Sequence, residues 1–203
     1  MGRRSDHTRD ELRALLIAEG HKLLAEQGLA NFSGREVAKR AGYTVGTIYN
    51  VFGSLDRLIV AINSHTFTLW AEFLRQKLEQ GGADRIRTLV EGYFEFALVH
   101  PNLWSAIYDH RVSEGDAMDE SDHSQRAVLT AIVEDEVRAV LPDPNMPGAA
   151  RFARSLIATV HGHCSYVVSG TFALLDEPDP VGSALARVRE CLAAHTQPLN
   201  DRF

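Results

Sequence analysis

His161, His163 and Cys164 are the side chains in this sequence whose types most directly suggest chemistry. All three are metal-ligating types, and His161 and Cys164 stand three apart, on one face of any helix that carries them. A closed zinc site takes four ligands, and no second His or Cys pair lies nearby in the chain. Catalysis by Cys164 with His161 needs a geometry that helix-mates seldom reach and an orienting partner that the sequence does not supply. Gly-x-Ser-x-Gly, the Walker loop, the dinucleotide fingerprint and His-Glu-x-x-His are missing. Buried packing or a hydrogen bond to a ligand is left for these side chains, and no metal, cofactor or enzymatic activity is expected.

A second constellation lies between Ser33 and Phe52. Two short helical segments, 33–41 and 45–52, flank the turn Gly42-Tyr43-Thr44, the layout of a helix-turn-helix. Ser33 and Glu36 form a capping-box pattern at the start of the first segment. At 100° per residue, Ile48, Val51 and Phe52 cluster on one side of the second segment. Gly46 and Asn50 lie opposite, flanked by Thr47 and Tyr49. This small, polar outer face fits a major groove about 12 Å wide. Free N–H groups at the Ser33 end suit a phosphate, and Arg35 projects from the first turn. The candidate DNA contacts are Ser33, Arg35, Tyr43, Thr44, Val45, Gly46, Thr47, Tyr49 and Asn50, with Arg3, Arg4 and Arg9 trailing along a neighbouring backbone. Spacing alone equally suits a plain helical hairpin with a solvated face.

The elements that position these residues are all helical. Apolar residues recur at three- and four-residue steps, and sustained period-2 alternation is absent. The pattern predicts about nine helices: 9–27, 33–41, 45–52, 55–80, 83–100, 102–109, 123–141, 149–170 and 181–195. Gly20 offers a place where another helix approaches closely, and Gly28 ends the first helix. Ser54 caps the fourth, Gly81-Gly82 breaks it, and Pro101 stops the fifth. The polar residues 110–121 read as a mobile loop. The boundary is placed inside the helix that starts at Leu55, giving a DNA-binding domain over 1–55 and a ligand-binding and dimerisation domain over 56–203.

Aromatic and polar side chains within the later apolar helices suggest a pocket: Phe67, Trp70, Tyr93, His100, Trp104, Tyr108, His161 and Tyr166. Core packing is the alternative for the aromatics, and a protein partner is the alternative for the histidines. So apolar a set favours a lipophilic or aromatic small molecule over a sugar or nucleotide. Small residues at helical steps, Ser155, Ala158, Gly162, Ser165 and Ser169, together with the stripe Ala184, Val188, Cys191 and Leu192, are the candidate homodimer interface. Intrachain packing is the alternative here too.

Bulk properties agree with a globular chain. Of 203 residues 45% are apolar and 24% charged, and the net charge is −6. Residues 1–60 nevertheless carry nine Lys/Arg against seven Asp/Glu, so a mildly basic front meets an acidic body. Two cysteines make no disulfide framework, and no apolar leader follows Met1, so a cytoplasmic protein is expected. Residues 155–175 lack Asp, Glu, Lys and Arg, but their histidines, serines, threonines and glycines point to a buried helix rather than a membrane span.

The run from Gly28 through Ser33-Gly34-Arg35-Glu36-Val37-Ala38, Ala41-Gly42-Tyr43-Thr44-Val45-Gly46-Thr47-Ile48-Tyr49 and Phe52-Gly53-Ser54 to Leu58 closely resembles the N-terminal domain of TetR/AcrR-family transcriptional regulators. The resemblance covers residues 9–60. It implies a dimeric, helical, ligand-responsive DNA-binding protein, here a repressor of an inverted-repeat operator, with an all-α small-molecule binder or enzyme as the alternative. It also implies that Tyr49 binds phosphate, that Thr44 and Thr47 contact backbone or bases, that Arg35 reads a base and that Asn50 contacts phosphate. Leu55 departs from the family, which commonly places Lys there. Further on, His100-Pro101-Asn102-Leu103-Trp104 and Val160-His161-Gly162 resemble a subgroup with a Trp–His–Gly motif, although Ile157 stands where that Trp is expected.

Overall fold

The computed structural model describes residues 7–111 and 120–196, and among them every regular element is a helix. The helices are α1 (Arg9–Gln27), α2 (Gly34–Arg40), α3 (Val45–Phe52), α4 (Leu55–Gln80), α5 (Arg85–Val99), α6 (Pro101–Asp109), α7 (Glu120–Val140), α8 (Ala149–Val168), α9 (Thr171–Leu174) and α10 (Pro180–Thr196). One 3-10 turn, Leu29–Asn31, follows α1. The chain forms two compact units, one built from the described residues of Met1–Thr68 and His100–Arg126, the other from those of Leu69–Val99 and Ala127–Phe203. Arg3 and Arg4 lie outside the described residues, as does most of the polar stretch read as a mobile loop.

The first unit follows its sequence signals closely. Gly28 adopts φ 71° and its N–H returns to the Leu24 carbonyl at 2.9 Å, closing α1. The approach expected at Gly20 is real, because a Cβ there would collide with the Ile62 side chain of α4. α1 opens with a full capping box, Thr8 with Glu11, for which the Thr-x-x-Glu spacing is the sequence signal. At α2 only the Ser33 half of the expected box forms: Ser33 Oγ accepts from the Glu36 N–H at 3.4 Å. The Glu36 carboxylate turns instead to Lys39 and Arg40. The core of this unit joins Leu16, Leu23 and Leu24 of α1 to Val37 and Ala38, Ile48 and Phe52, Leu58 and Ile62, and Leu103 and Ala106. Every helix from α1 to α4 therefore contributes an apolar face, and α6 joins them. The α6 attachment is reinforced by two amide hydrogen bonds, Asn102 to the Ala25 carbonyl at 2.8 Å and Asn63 to the Ala106 carbonyl at 3.1 Å.

In the second unit α8 packs against α10 and α5, and α10 also packs against α5. Ion pairs join α5 and the residue before it to their neighbours, Arg85 to Glu136 of α7 and Asp84 to Arg189 of α10. Both sit at the surface and contribute little to stability. The uncharged stretch 155–175 proves not to be one helix. α8 stops at Val168, Gly170 takes φ 74°, and the short α9 follows, a tenth helix beyond the nine expected. No single helix among the described residues is long and apolar enough to cross a membrane. α10 begins with Pro180 at its first position, and Asp179 accepts the Gly182 N–H at 2.9 Å. That Asp-Pro start was legible as an acidic cap before a first-turn proline.

Candidate nucleic-acid interface and effector cavity

α2 and α3 pack on each other and on α1, which fixes the outer face of α3. Ile48 and Phe52 point inward and are 1% and 6% exposed. The turn between the helices is closed by backbone hydrogen bonds, Gly42 N–H to the Lys39 carbonyl and Tyr43 N–H to the Ala38 carbonyl. Gly42 needs its left-handed φ of 81° to make that turn. Of the nine candidate contacts, Ser33, Arg35, Thr44, Val45, Gly46, Tyr49 and Asn50 are exposed, and Tyr43 and Thr47 are half-buried. Tyr49 is 53% exposed although it is aromatic. A Cβ on Gly46 would meet only the Thr44 hydroxyl, at 3.7 Å, so this part of α3 presents bare backbone. Thr44 occupies the N-cap of α3 without a side-chain capping bond, which leaves its hydroxyl outside the helix's own network.

The basic residues of this unit divide into two groups. Arg40 is held by Glu26 at 2.8 Å and Glu36 at 3.5 Å, and so braces α2 against α1. Those carboxylates hold the guanidinium above its ordinary value, the Glu26 hydrogen bond contributing most. Arg13 lies over the Phe52 ring, 5.2 Å from its centroid. Arg35 by contrast is exposed and makes no ion pair among the described residues. Ser54 Oγ caps α4 through the Arg57 N–H at 3.1 Å, as its position suggested. Leu55 tucks against Gly34, where a Cβ would come within 2.8 Å of Leu55 Cδ1. The residue that departs from the family's usual Lys thus packs α2 onto α4.

The second unit holds a cavity of about 40 Å³ lined by Tyr93 and by Ile86, Leu89, Val90, Val133, Val137, Leu156, Ile157, Val160 and Val188. Tyr93 alone among these carries a side-chain polar atom, and its hydroxyl lies 3.0 Å from His161 Nδ1. Burial pushes the His161 imidazole below its ordinary value. Of the eight expected ligand residues, only Tyr93 lines the cavity, with His161 hydrogen-bonded to it.

The others are placed elsewhere. Trp70 is fully buried, stacked on Phe96 at 4.6 Å and edge-on to Tyr93 at 4.8 Å, so it is core of the second unit. Trp104 is 3% exposed and packs beside Tyr108 in the first unit. Phe67 sits under the Arg126 guanidinium, 5.2 Å from it. Tyr166 is 48% exposed, against Phe172, and His100 is an exposed helix cap. The cavity is aliphatic rather than aromatic, because the large flat rings fill the interior while branched side chains leave the gap. The lining has the three- and four-residue spacing of any core helix, which is why sequence did not single it out.

The metal and nucleophile readings find no geometry. Among the described residues no three His, Cys, Asp or Glu side chains converge to hold a metal ion. His163 Nδ1 donates to its own helix at the Thr159 carbonyl. Cys164 is fully buried, and burial pushes its thiol up to about 12, far from a thiolate nucleophile. In the candidate dimer stripe, Ser155, Ala158, Gly162, Ser169 and Cys191 are exposed and Ser165 and Leu192 half-buried. Ala184 and Val188 are 0% and 3% exposed inside one chain, so those two side chains face the unit's own core and leave the interface set.

Comparison with known proteins agrees with this geometry. A model of bacterial regulatory proteins of the tetR family matches residues 16–62, and one of tetracyclin repressor-like C-terminal domains matches residues 86–189. A protein of unknown function from Rhodococcus sp. RHA1 shares the fold at TM-score 0.71 and 22% identity, over 96% of this chain and all of that one. A TetR transcriptional regulator from the same organism does so at 0.66 and 20%, over 95% of this chain and all of that one. The multidrug binding protein EbrR, complexed with imidazole, does so at 0.63 and 20%, over 97% and all. Matched in both its halves, the chain belongs to the TetR family of bacterial regulatory proteins and is a ligand-responsive, DNA-binding transcriptional regulator.

Proposed function

We propose that the protein is a cytoplasmic homodimeric repressor without enzymatic activity. In this reading residues 1–55 bind an inverted-repeat operator and residues 56–203 bind the effector and pair the protomers. The observation that carries it is the α3 face: Gly46, Tyr49 and Asn50 exposed over a buried Ile48–Phe52 side. Ser33, Arg35, Tyr43, Thr44, Val45 and Thr47 complete that face, positioned for phosphates and base edges. The partner protomer meets the exposed small residues of α8 together with Cys191 and Leu192 of α10.

A small, neutral, apolar effector enters the aliphatic cavity at Tyr93. EbrR is a multidrug binding protein seen with proflavin, which supports an apolar or aromatic class here. The present cavity of about 40 Å³ is far below the roughly 300 Å³ of a drug-sized site. An effector therefore binds an opened conformation, and that differential affinity is what releases DNA. The rival reading, a carrier or enzyme that ignores DNA, gives no role to the exposed α3 face.

The test is a gel shift on duplexes selected from random sequence, repeated at several salt concentrations and with a panel of apolar compounds. Affinity should fall linearly with salt on logarithmic axes, and at least one compound should release the duplex. A chain that retains no duplex at low salt sinks the proposal.

A further inference from the structure

Two histidines from two helices meet inside the first unit. His21 of α1 and His65 of α4 stand edge to face, with ring centroids 5.1 Å apart. His100 caps α6 at its N-terminus and acts electrostatically on His21. The residues around them are structural joints: Gly20 takes the Ile62 side chain, and Asn102 binds the Ala25 carbonyl. His21 Nε2 is buried and makes no hydrogen bond, so the ring has no acceptor ready for a second proton.

Among the described residues, no carboxylate is among the charges that act on His21. On α1, Glu11 caps Thr8, Glu19 pairs with Lys22 at 2.7 Å, and Glu26 pairs with Arg40. On α2, Glu36 serves Lys39 and Arg40. On α4, Asp56 is bonded to His110, and on α6 the acid Asp109 closes the far end of the helix. α3 offers only the exposed Tyr49, and the turn Leu29–Asn31 has no titratable side chain. The charges acting on His21 are those of His65 and His100, both of the same sign.

We propose that the His21–His65 contact makes the first unit acid-sensitive, protonation parting α1 from α4 and lowering DNA affinity. Burial first, then His65 and His100, pull the His21 imidazole down to about 4, and burial pulls His65 down as well. The packed form therefore keeps His21 neutral, while a parted form takes up a proton below its ordinary value near 6.5. Acidification favours the parted form, and the effect is fully absent above that value. This device is independent of the effector reading, since these histidines belong to the first compact unit and none of them lines the cavity.

Ordinary electrostatics predicts the opposite. The chain has nine histidines and a net charge of −6, so lowering the pH makes it more positive and should tighten binding to phosphates. The experiment is fluorescence anisotropy of the full chain on a labelled duplex selected from random sequence at pH 7.5, measured at pH 7.5 and 5.5 at fixed ionic strength. Wild type should weaken at pH 5.5, by up to about tenfold, the most that one proton taken up near 6.5 allows over that interval. His21→Phe and His65→Phe, which keep a ring in the joint, should hold or gain affinity. Ring resonances of His21 should gain charge between pH 7.5 and 5.5 in the free chain and stay neutral in the duplex-bound chain. The proposal is overturned by wild-type binding that is unchanged or tighter at pH 5.5, by both variants weakening as wild type does, or by a His21 ring that stays neutral in the free chain at pH 5.5.

Discussion

The Tyr93 hydroxyl and His161 Nδ1 lie 3.0 Å apart, and they put a hydrogen-bonded pair at the wall of an otherwise aliphatic cavity. Removing one member leaves a polar group half-buried, at a cost of about 1–3 kcal/mol. Tyr93→Phe should therefore lower the unfolding midpoint in urea without weakening DNA binding at neutral pH. Burial holds the His161 imidazole below its ordinary value, so the unfolded chain takes up the extra proton. Its stabilising contribution is complete above about pH 6.5 and fades as the pH falls. His161→Gln should lose less melting temperature than wild type between pH 7.5 and 5.5. Equal losses in the two proteins would place the acid sensitivity elsewhere.

Gly20 and Gly46 make a matched pair of tests. A side chain at Gly20 collides with Ile62, whereas a Cβ at Gly46 makes only an ordinary contact with the Thr44 hydroxyl. Gly20→Val should destabilise the fold by about 1–3 kcal/mol through overpacking. Gly46→Ala should leave stability unchanged or raise it by up to about 1 kcal/mol, since alanine is the better helix former. Yet Gly46→Ala should weaken DNA binding, because it holds the backbone off the groove. Denaturant midpoints and anisotropy, run on both variants, separate the two effects.

The recognition face also makes a graded prediction. Tyr49→Phe and Thr47→Ala should each weaken binding across all sequences, as expected for backbone contacts. Arg35→Ala should relax base preference at one position by about 1–3 kcal/mol if its guanidinium reads a base. Binding measured against a library of single-base variants distinguishes the two patterns, and three neutral substitutions would remove the docking face.

These contrasts mark where the sequence is transparent. Ser54, Gly28, Gly42 and the Ile48–Phe52 stripe act through local rules of capping, left-handed turns and helical period, and each is found where those rules place it. The cavity depends on which side chains fail to meet across α5, α7, α8 and α10, and no local rule encodes a gap. Trp70 and Trp104 were legible as large apolar residues, but whether a ring lines a pocket or fills a core is decided by its neighbours on other helices. Ala184 and Val188 show the same limit, since their stripe is real but faces inward. The capping box at Thr8 is readable in its spacing, and Ser33 forms only half of its own because Arg40 draws the Glu36 carboxylate away.

Assembly can be read through the two cysteines. Cys164 is buried with its thiol pushed up to about 12, so it should resist alkylation until the protein unfolds. Cys191 is exposed in the single chain, and if α8 and α10 meet a second protomer it should be protected at micromolar concentration and react on dilution. Gly162→Leu, placed where a Cβ meets nothing within the chain, should expose Cys191 and halve the mass by light scattering while leaving each protomer folded. Val188→Glu is no test of the interface, because its charge would be buried in the protomer's own core.

The last prediction concerns filling the cavity rather than emptying it. Trp104→Ala, the obvious way to remove an aromatic wall, would cut a large side chain from the core and cost about 3–5 kcal/mol, confusing lost ligand with lost fold. Val137 and Val160 line the gap and are 2% and 6% exposed. One added methylene at either position has room within about 40 Å³ and brings new contacts across a void. Val137→Ile and Val160→Ile should each raise the unfolding free energy, by up to about 1 kcal/mol. If the effector enters here, the pair should also demand more of any compound that releases wild-type protein from DNA, because the closed form has been stabilised against the opened one. DNA affinity without compound should be unchanged. A double variant that is more stable yet released at the wild-type concentration would move the effector site out of this cavity.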